Sequence, residues 1–231
     1  MVTDPQQLPL DPSFEHDPGR GAALAAQQLT PEALRRRFLQ AVDWQPELRS
    51  DGLPAADEGR GNLAAAVLIA LLQRAGGLGV LLTHRARHLQ AHAGQISFPG
   101  GRIEAGDEGP IGAALREAAE ETGLPVASVE VLGQLPPYRT VTGFEVTPIV
   151  GLVADPVKLT LAGDEVEDAF EVPLSFLMNP RNHQRRVASW QGAQRFVYAM
   201  PFHDGRRERF IWGATAAIVR NLYGFLRAEP R

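Results

Sequence analysis

The chain has 231 residues, 44% hydrophobic and 22% charged, with no cysteine and a formal net charge of −4. Such a length holds one domain with a sizeable core plus an extension, or two small domains, and the composition is ordinary for a globular protein. The weak negative charge offers no bulk basic field to nucleic acid or an acidic membrane, and without cysteine there is no disulfide framework, thiolate metal site or cysteine nucleophile.

Residues 1–29 are rich in Pro, Asp, Gln, Gly and Ala without sustained periodicity, and read as mobile or loosely attached. They lack the charged start and apolar run of a signal peptide. Thr30-Pro31 opens a helix predicted over about 31–43, with Leu34, Phe38, Leu39 and Val42 as its apolar stripe. Arg35, Arg36 and Arg37 fall off that stripe and read as a solvated face. Residues 45–62 carry Pro46, Gly52, Pro54, Gly59 and Gly61, and read as a linker or long loop.

Ala64 to Leu72 is a continuous apolar run that fits a buried strand, although its alanines leave a helix open. Gly76-Gly77 turns the chain into a second strand at Val80–Thr83, most simply as a hairpin. Residues 85–94 form a polar loop containing Arg85, Arg87, His88 and His92. Ile96 to Phe98 is a short strand running into Pro99-Gly100-Gly101.

The stretch Gly100 to Leu124, GGRIEAGDEGPIGAALREAAEETGL, organises the rest. Pro110 suits the first position of a helix and Gly123 the left-handed position past its end. Ile111, Ala114, Leu115, Ala118 and Thr122 share the face expected to pack on the core. Glu117, Glu120 and Glu121 cluster on the opposite side. Like charges one turn apart disfavour a helix by about 0.2–0.5 kcal/mol per pair. Anions in the last turn oppose the helix dipole by roughly 0.3–1 kcal/mol. One reading is a solvated acidic face with Arg116 pairing to Glu120. The other is a divalent-cation site, since hard cations take oxygen ligands and locally unfavourable choices concentrate at functional sites.

Beyond that helix, strands are predicted at Val129–Leu135, Phe144–Val153 and Val166–Val172, with Pro148 marking an edge or bulge. Tyr138 to Gly143 reads as a loop. Pro173 starts a helical turn through Met178. His183–Trp190 and Arg195–Met200 form a hairpin around Gln191-Gly192, and Phe210–Trp212 is a short strand. Gly213 opens a final helix to about Leu226. Strands flanking a central helix, with another helix at the end, suit an α+β domain with helices on both sides of a mixed sheet.

The acidic stretch resembles the Nudix box, through Gly101, Glu108, Arg116, Glu117, Ala118, Glu120, Glu121, Gly123 and Leu124. The interval from Gly101 to Glu108 is one residue longer than the usual form, so Asp107 is an alternative for the loop acid. Upstream, LLTHRARHLQAHAGQISFPGG (Leu81–Gly101) resembles the signature of the coenzyme A diphosphatase branch of that family. Gln90 stands where the branch has a basic residue. The longer box loop, LPPYRTVTGFEVTPIVG at Leu135–Gly151, the Asp164-Glu165-Val166 step and FIWGATAAIVRNL at Phe210–Leu222 are similar to the same branch.

The resemblance implies a Nudix fold, an α/β/α sandwich around a mixed central sheet, over residues 61–231. Residues 1–60 are then an N-terminal extension with one helix and a linker. It implies Mg²⁺- or Mn²⁺-dependent hydrolysis of coenzyme A or acyl-CoA to 3′,5′-ADP and 4′-phosphopantetheine or its acyl form. Glu117, Glu120, Glu121 and the Gly101 carbonyl are the expected metal ligands. Glu121, Glu165 and Glu120 are the expected catalytic groups, with Glu165 an extra ligand or general base. Arg85, Arg87, Phe98, Gly100 and Gly101 are the expected substrate contacts. The alternatives are hydrolysis of another nucleoside diphosphate such as ADP-ribose, and a catalytically silent nucleotide-binding domain. A cytoplasmic location is expected. Expected partners are the small-molecule substrate and at most a second copy of the chain, with no nucleic acid and no membrane.

Overall fold

In a computed structural model, β1 (Leu63–Arg74) is the strand on which the other elements are assembled. The structure describes residues 4–51, 63–86, 94–154, 157–190 and 193–231, with the backbone alone at Pro18, Trp190 and Ala193. Side chains alternate across a strand, and β1 is buried on both faces, which is why it reads as an unbroken apolar run. Ala66, Leu68, Ala70 and Leu72 face α2 (Gly109–Thr122), where Ala113, Ala114 and Ala118 meet them. Small residues on both sides let that helix sit close to the strand. Ala65, Ile69 and Leu71 point the other way, into the cluster that holds α4 (Gly213–Arg227).

On one edge β1 pairs antiparallel with β2 (Gly77–Arg85) and, further along, with β4 (Gly100–Arg102). On the other it pairs in parallel with β7 (Phe144–Val153). β3 (Ile96–Ser97) and β8 (Val166–Pro173) join β2, while β5 (Val129–Gln134) and β6 (Tyr138–Arg139) join β7, completing an eight-stranded mixed sheet. A second, three-stranded antiparallel sheet runs β11-β10-β9, from β9 (Gln184–Trp190), β10 (Ala193–His203) and β11 (Glu208–Trp212). α2 and α4 lie on opposite faces of the mixed sheet, the expected α+β arrangement. Among the described residues no helix is long and apolar enough to cross a membrane.

Three expectations are corrected. Pro148 is not on an edge: it pairs with Val67 inside a central strand. Its carbonyl accepts from Leu135 N at 2.9 Å, just where pairing with β5 ends. The first helix, α1 (Pro31–Leu39), stops short of residue 43, because Gln40 is already extended. Its stripe is also displaced, with Leu39 87% exposed while Arg37 is buried. The Arg37 guanidinium donates to the carbonyls of Phe225 and Ala228 and so satisfies the end of α4.

The third correction is that residues 4–29 are packed, not loosely attached. Asp4-Pro5, Asp11-Pro12 and Asp17-Pro18 each begin a short 3₁₀ turn, with the aspartate accepting from the N–H two residues on. Phe14 is 2% exposed and sits edge-to-face on Tyr198 at 5.4 Å. Buried Arg220 of α4 donates to the carbonyls of Gly19 (2.9 Å) and Arg20 (3.0 Å) and to Glu47 (2.8 Å). Tyr223 donates to the Ala22 carbonyl at 2.7 Å. Residues 52–62, most of the expected linker, lie outside the described residues.

Candidate active site

α2 is set by its ends. Pro110 lies in the first turn, and Gly123 closes the helix at φ +67°, its N–H donating to Ala119 O at 2.8 Å. The buried face is Ala113, Ala114, Ala118, Glu121 and Thr122. The expected face thus turns slightly: Ile111 is 41% exposed, and Glu121, assigned to the acidic side, is 2% exposed.

β4 supplies the opposite wall. Gly100 has φ +156°, and a Cβ there would lie 2.4 Å from the Ala66 carbonyl oxygen, so only glycine lets the chain press onto β1. A Cβ on Gly101 would lie 2.3 Å from Glu117 Oε1, which puts the Glu117 carboxylate directly on that glycine. The Gly100 N–H donates to Glu121 Oε2 at 3.4 Å. From β2, Arg85 Nη1 reaches Glu121 Oε1 at 3.2 Å. Gly100, Gly101, Arg85, Glu117 and Glu121 therefore come together.

Burial pushes the Glu121 carboxyl up to about 7; Arg85 and the Gly100 N–H pull against it, while Glu117 and Glu165 add to the rise. Burial also raises Glu117, opposed by Arg116 and reinforced by Glu120 and Glu165. Exposed Glu165 sits in the turn before β8, where its carbonyl accepts from Ala86 N at 2.9 Å. Its carboxylate is thus within electrostatic reach of both Glu117 and Glu121.

Arg116 ties the helix to the loop. Its Nε and Nη2 bind the two carboxylate oxygens of Asp107 at 2.8 and 3.0 Å, a bidentate fork. Nη2 also donates to the Arg102 carbonyl at 3.1 Å, and Nη1 reaches Glu117 and Glu120 at 3.1 and 3.0 Å. This fork and the Glu104 N–H hold the Asp107 carboxyl down at about 2. Glu108 is the residue before the helix and makes no capping bond. The fork thus pairs Asp107, rather than Glu108, with the box arginine. Asp107→Ala is expected to lower kcat/KM at least about tenfold, about 1.4 kcal/mol, and Glu108→Ala to change it less than about twofold. The reverse ranking would make Glu108 the loop acid.

One expected contact is placed elsewhere. Phe98, just past β3, is 3% exposed and packs in the core cluster on the α4 side; it is not offered for stacking. Arg87 lies outside the described residues, as do His88, Gln90 and His92. Glu120 is on the rim, its side chain 60% exposed and held by Arg116.

Among the described residues no three His, Asp or Glu side chains close into a cation cage. The donor set nonetheless fits a hard divalent ion of the kind that keeps waters and substrate phosphates as ligands. The buried Glu121 and half-buried Glu117 carboxylates, both with raised pKa, lie against a backbone stretch with no side chain between, and a third carboxylate stands at the rim.

A model of the NUDIX domain matches residues 62–191, more than half of the chain. Over 158 residues the chain is 42% identical to an uncharacterized Nudix hydrolase NudL of Citrobacter koseri, covering 68% of this chain and 80% of the relative. It is 40% identical over 166 residues to an uncharacterized Nudix hydrolase NudL of Escherichia coli K12, covering 72% and 84%. A solved Nudix hydrolase from M. smegmatis is 27% identical over 49% of this chain and 72% of that one, at a TM-score of 0.43 too low to carry weight. The match over most of the mixed sheet and α2, together with two relatives at 40% identity or more, shows that the chain belongs to the Nudix family and is a Nudix hydrolase.

Proposed function

We propose that this enzyme hydrolyses the diphosphate of coenzyme A or acyl-CoA, releasing 3′,5′-ADP and 4′-phosphopantetheine or its acyl form. Nudix hydrolases act on nucleoside-diphosphate-type substrates and generally need a divalent metal ion; Mg²⁺ or Mn²⁺ is the proposed ion here. The observation that carries the substrate is the run Leu81–Gly101, whose resemblance to the coenzyme A diphosphatase signature includes Arg85 and Gly100, both in contact with Glu121.

Glu117, Glu121 and Glu120 would hold the ion, with the Gly101 carbonyl. The ion supplies Lewis-acid polarisation of phosphoryl oxygens and a lowered pKa for the attacking water. Arg85 keeps the Glu121 carboxylate in one orientation and offsets part of its burial. Arg116, forked onto Asp107, fixes the spacing between the loop and the helix carboxylates. Glu165 is the proposed general base or extra ligand: it is exposed, and its charge adds to the rise at both Glu117 and Glu121. Residues 61–231 form the proposed catalytic domain. Residues 1–60 are the proposed extension, attached to that domain through α4 and β9.

The test is kcat/KM with Mg²⁺ for coenzyme A, dephospho-CoA and ADP-ribose. A charge-assisted contact to the 3′-phosphate contributes roughly 1.5–3 kcal/mol, so coenzyme A should exceed dephospho-CoA about tenfold or more. Equal rates on those two, or faster cleavage of ADP-ribose, would shift the reading to a different nucleoside diphosphate.

A further inference from the structure

The turn that carries Glu165 is built onto the end of α2. The last carbonyls of a helix have no partner inside it. Two of them are met here from the segment before β8. The Thr160 N–H donates to the Thr122 carbonyl at 2.8 Å, and the Ala162 N–H to the Glu121 carbonyl at 3.0 Å. A Cβ on Gly123 would lie 2.9 Å from the Thr160 carbonyl oxygen, so the segment presses directly on the helix end. Val157 and Leu159 pack against the apolar cluster around α2. The Ala162 carbonyl then accepts from Glu165 N at 3.0 Å and from Val166 N at 2.9 Å.

Glu165 is tied on its far side as well, where its carbonyl accepts from Ala86 N at 2.9 Å. A bulge in β8 sets that register. His84 stands opposite Asp168 and Arg85 opposite Val166, so Glu167 is an extra residue between the two pairs. Bulges are over-represented beside active sites, where they re-aim a side chain. Arg85 closes the circuit, with Nη1 3.2 Å from Glu121 Oε1. Glu121, Ala162, Glu165, Ala86 and Arg85 thus form one ring. Glu121 is held in it twice, through its carbonyl by Ala162 and through its carboxylate by Arg85.

Ala162 brings no side-chain chemistry to this ring. Its N–H meets one glutamate and its carbonyl meets the other. A group that must approach a water or an ion loses rate steeply when its support shifts, about 100-fold for a misplacement of about 1 Å.

We propose that Ala162 is a positioning residue for the hydrolysis, its two backbone bonds setting where Glu165 stands relative to the carboxylate face of α2. This rests on the reading of Glu165 as general base or extra ligand. The test is a double-mutant cycle in the full chain, read as kcat and KM with Mg²⁺. It is run on whichever of coenzyme A and ADP-ribose is cleaved faster, so the substrate and the positioning are judged separately. Glu165→Gln should lower kcat at least about 100-fold. Ala162→Pro removes the N–H and should lower kcat at least about tenfold with KM within about threefold, whereas Ala162→Gly keeps the N–H and should hold kcat within about threefold of wild type. On the Glu165→Gln background, Ala162→Pro should cost less than about twofold more, because no carboxylate remains to be misplaced. A proline also restricts the chain around it, so a second variant breaks the ring on the other side of Ala162. Two glycines inserted after Gly163, where a Cβ would meet nothing within 4 Å, should give the same non-additive pattern. Equal losses in both backgrounds would make the turn merely structural and overturn the proposal. So would wild-type kcat in Ala162→Pro and in the insertion while Glu165→Gln is slow. Near-normal kcat in Glu165→Gln would overturn the role of Glu165 together with this inference.

Discussion

Glu121→Gln is expected to lower kcat by at least about two orders of magnitude, about 2.7 kcal/mol of barrier, while stabilising the metal-free protein above neutral pH. Both effects come from one carboxyl. It is 2% exposed, and burial raises its pKa to about 7 from an ordinary 4.5. Between those values the folded protein still holds a proton that the unfolded chain has released. Stability of the metal-free protein therefore falls as pH rises through that window and levels off above about pH 7. The loss is on the order of 3 kcal/mol. Glutamine cannot ionise, so the variant lacks this slope and melts above wild type at about pH 8 in a chelator, the difference shrinking toward about pH 5. Glu120→Gln, at the exposed rim, should lose activity without that change in the melting profile. Near-normal turnover with Mg²⁺ in both variants would remove the helix carboxylates from the metal site.

Deleting residues 1–29 is expected to leave a protein that is insoluble or melts far below wild type. Read as a sequence, the segment has no core-forming pattern, and its removal looks harmless. The structure reverses that expectation. Phe14 is nearly fully buried among Tyr198 and three arginines, and truncating a buried Phe alone costs about 3–5 kcal/mol. The deletion also strips the buried Arg220 of the Gly19 and Arg20 carbonyls and leaves Tyr223 without Ala22. The combined loss rivals the whole stability of a typical domain, about 5–15 kcal/mol. Phe14→Ala with the chain otherwise intact should lower the melting temperature by about 10 °C or more. A truncated protein with wild-type melting temperature and turnover would contradict this account.

The same contrast shows what was legible in the sequence. β1, the hairpin to β2, the ends of α2 and the span of α4 follow from continuous apolar runs, a Gly-Gly turn, Pro110 and Gly123, all of them local signals. Contacts made across the chain were not legible. Arg37 reads as a solvated cation because nothing nearby reveals that the carbonyls it satisfies belong to α4. Phe14 stands alone in a polar stretch, and only its placement beside Tyr198 makes it core. The three Asp-Pro steps were a usable signal, since Asp before Pro favours turn initiation, but periodicity searches pass over 3₁₀ turns. In the candidate site, residue types and spacing brought Glu117, Glu120 and Glu121 together, yet the depth of each was hidden. Spacing put Glu121 with the acidic face, whereas the close approach of β4 at Gly100 and Gly101 covers it. The Asp107 fork on Arg116 was one of two open alternatives in the sequence, separable only by geometry.

The most direct measurement is a product analysis. Wild-type protein would be incubated with coenzyme A, with Mg²⁺ and with chelator, and the products identified by mass. Equal amounts of 3′,5′-ADP and 4′-phosphopantetheine are expected, formed only when the metal is present. Intact coenzyme A under conditions where ADP-ribose or a dinucleoside polyphosphate is consumed, or equal product in the chelator, would contradict it.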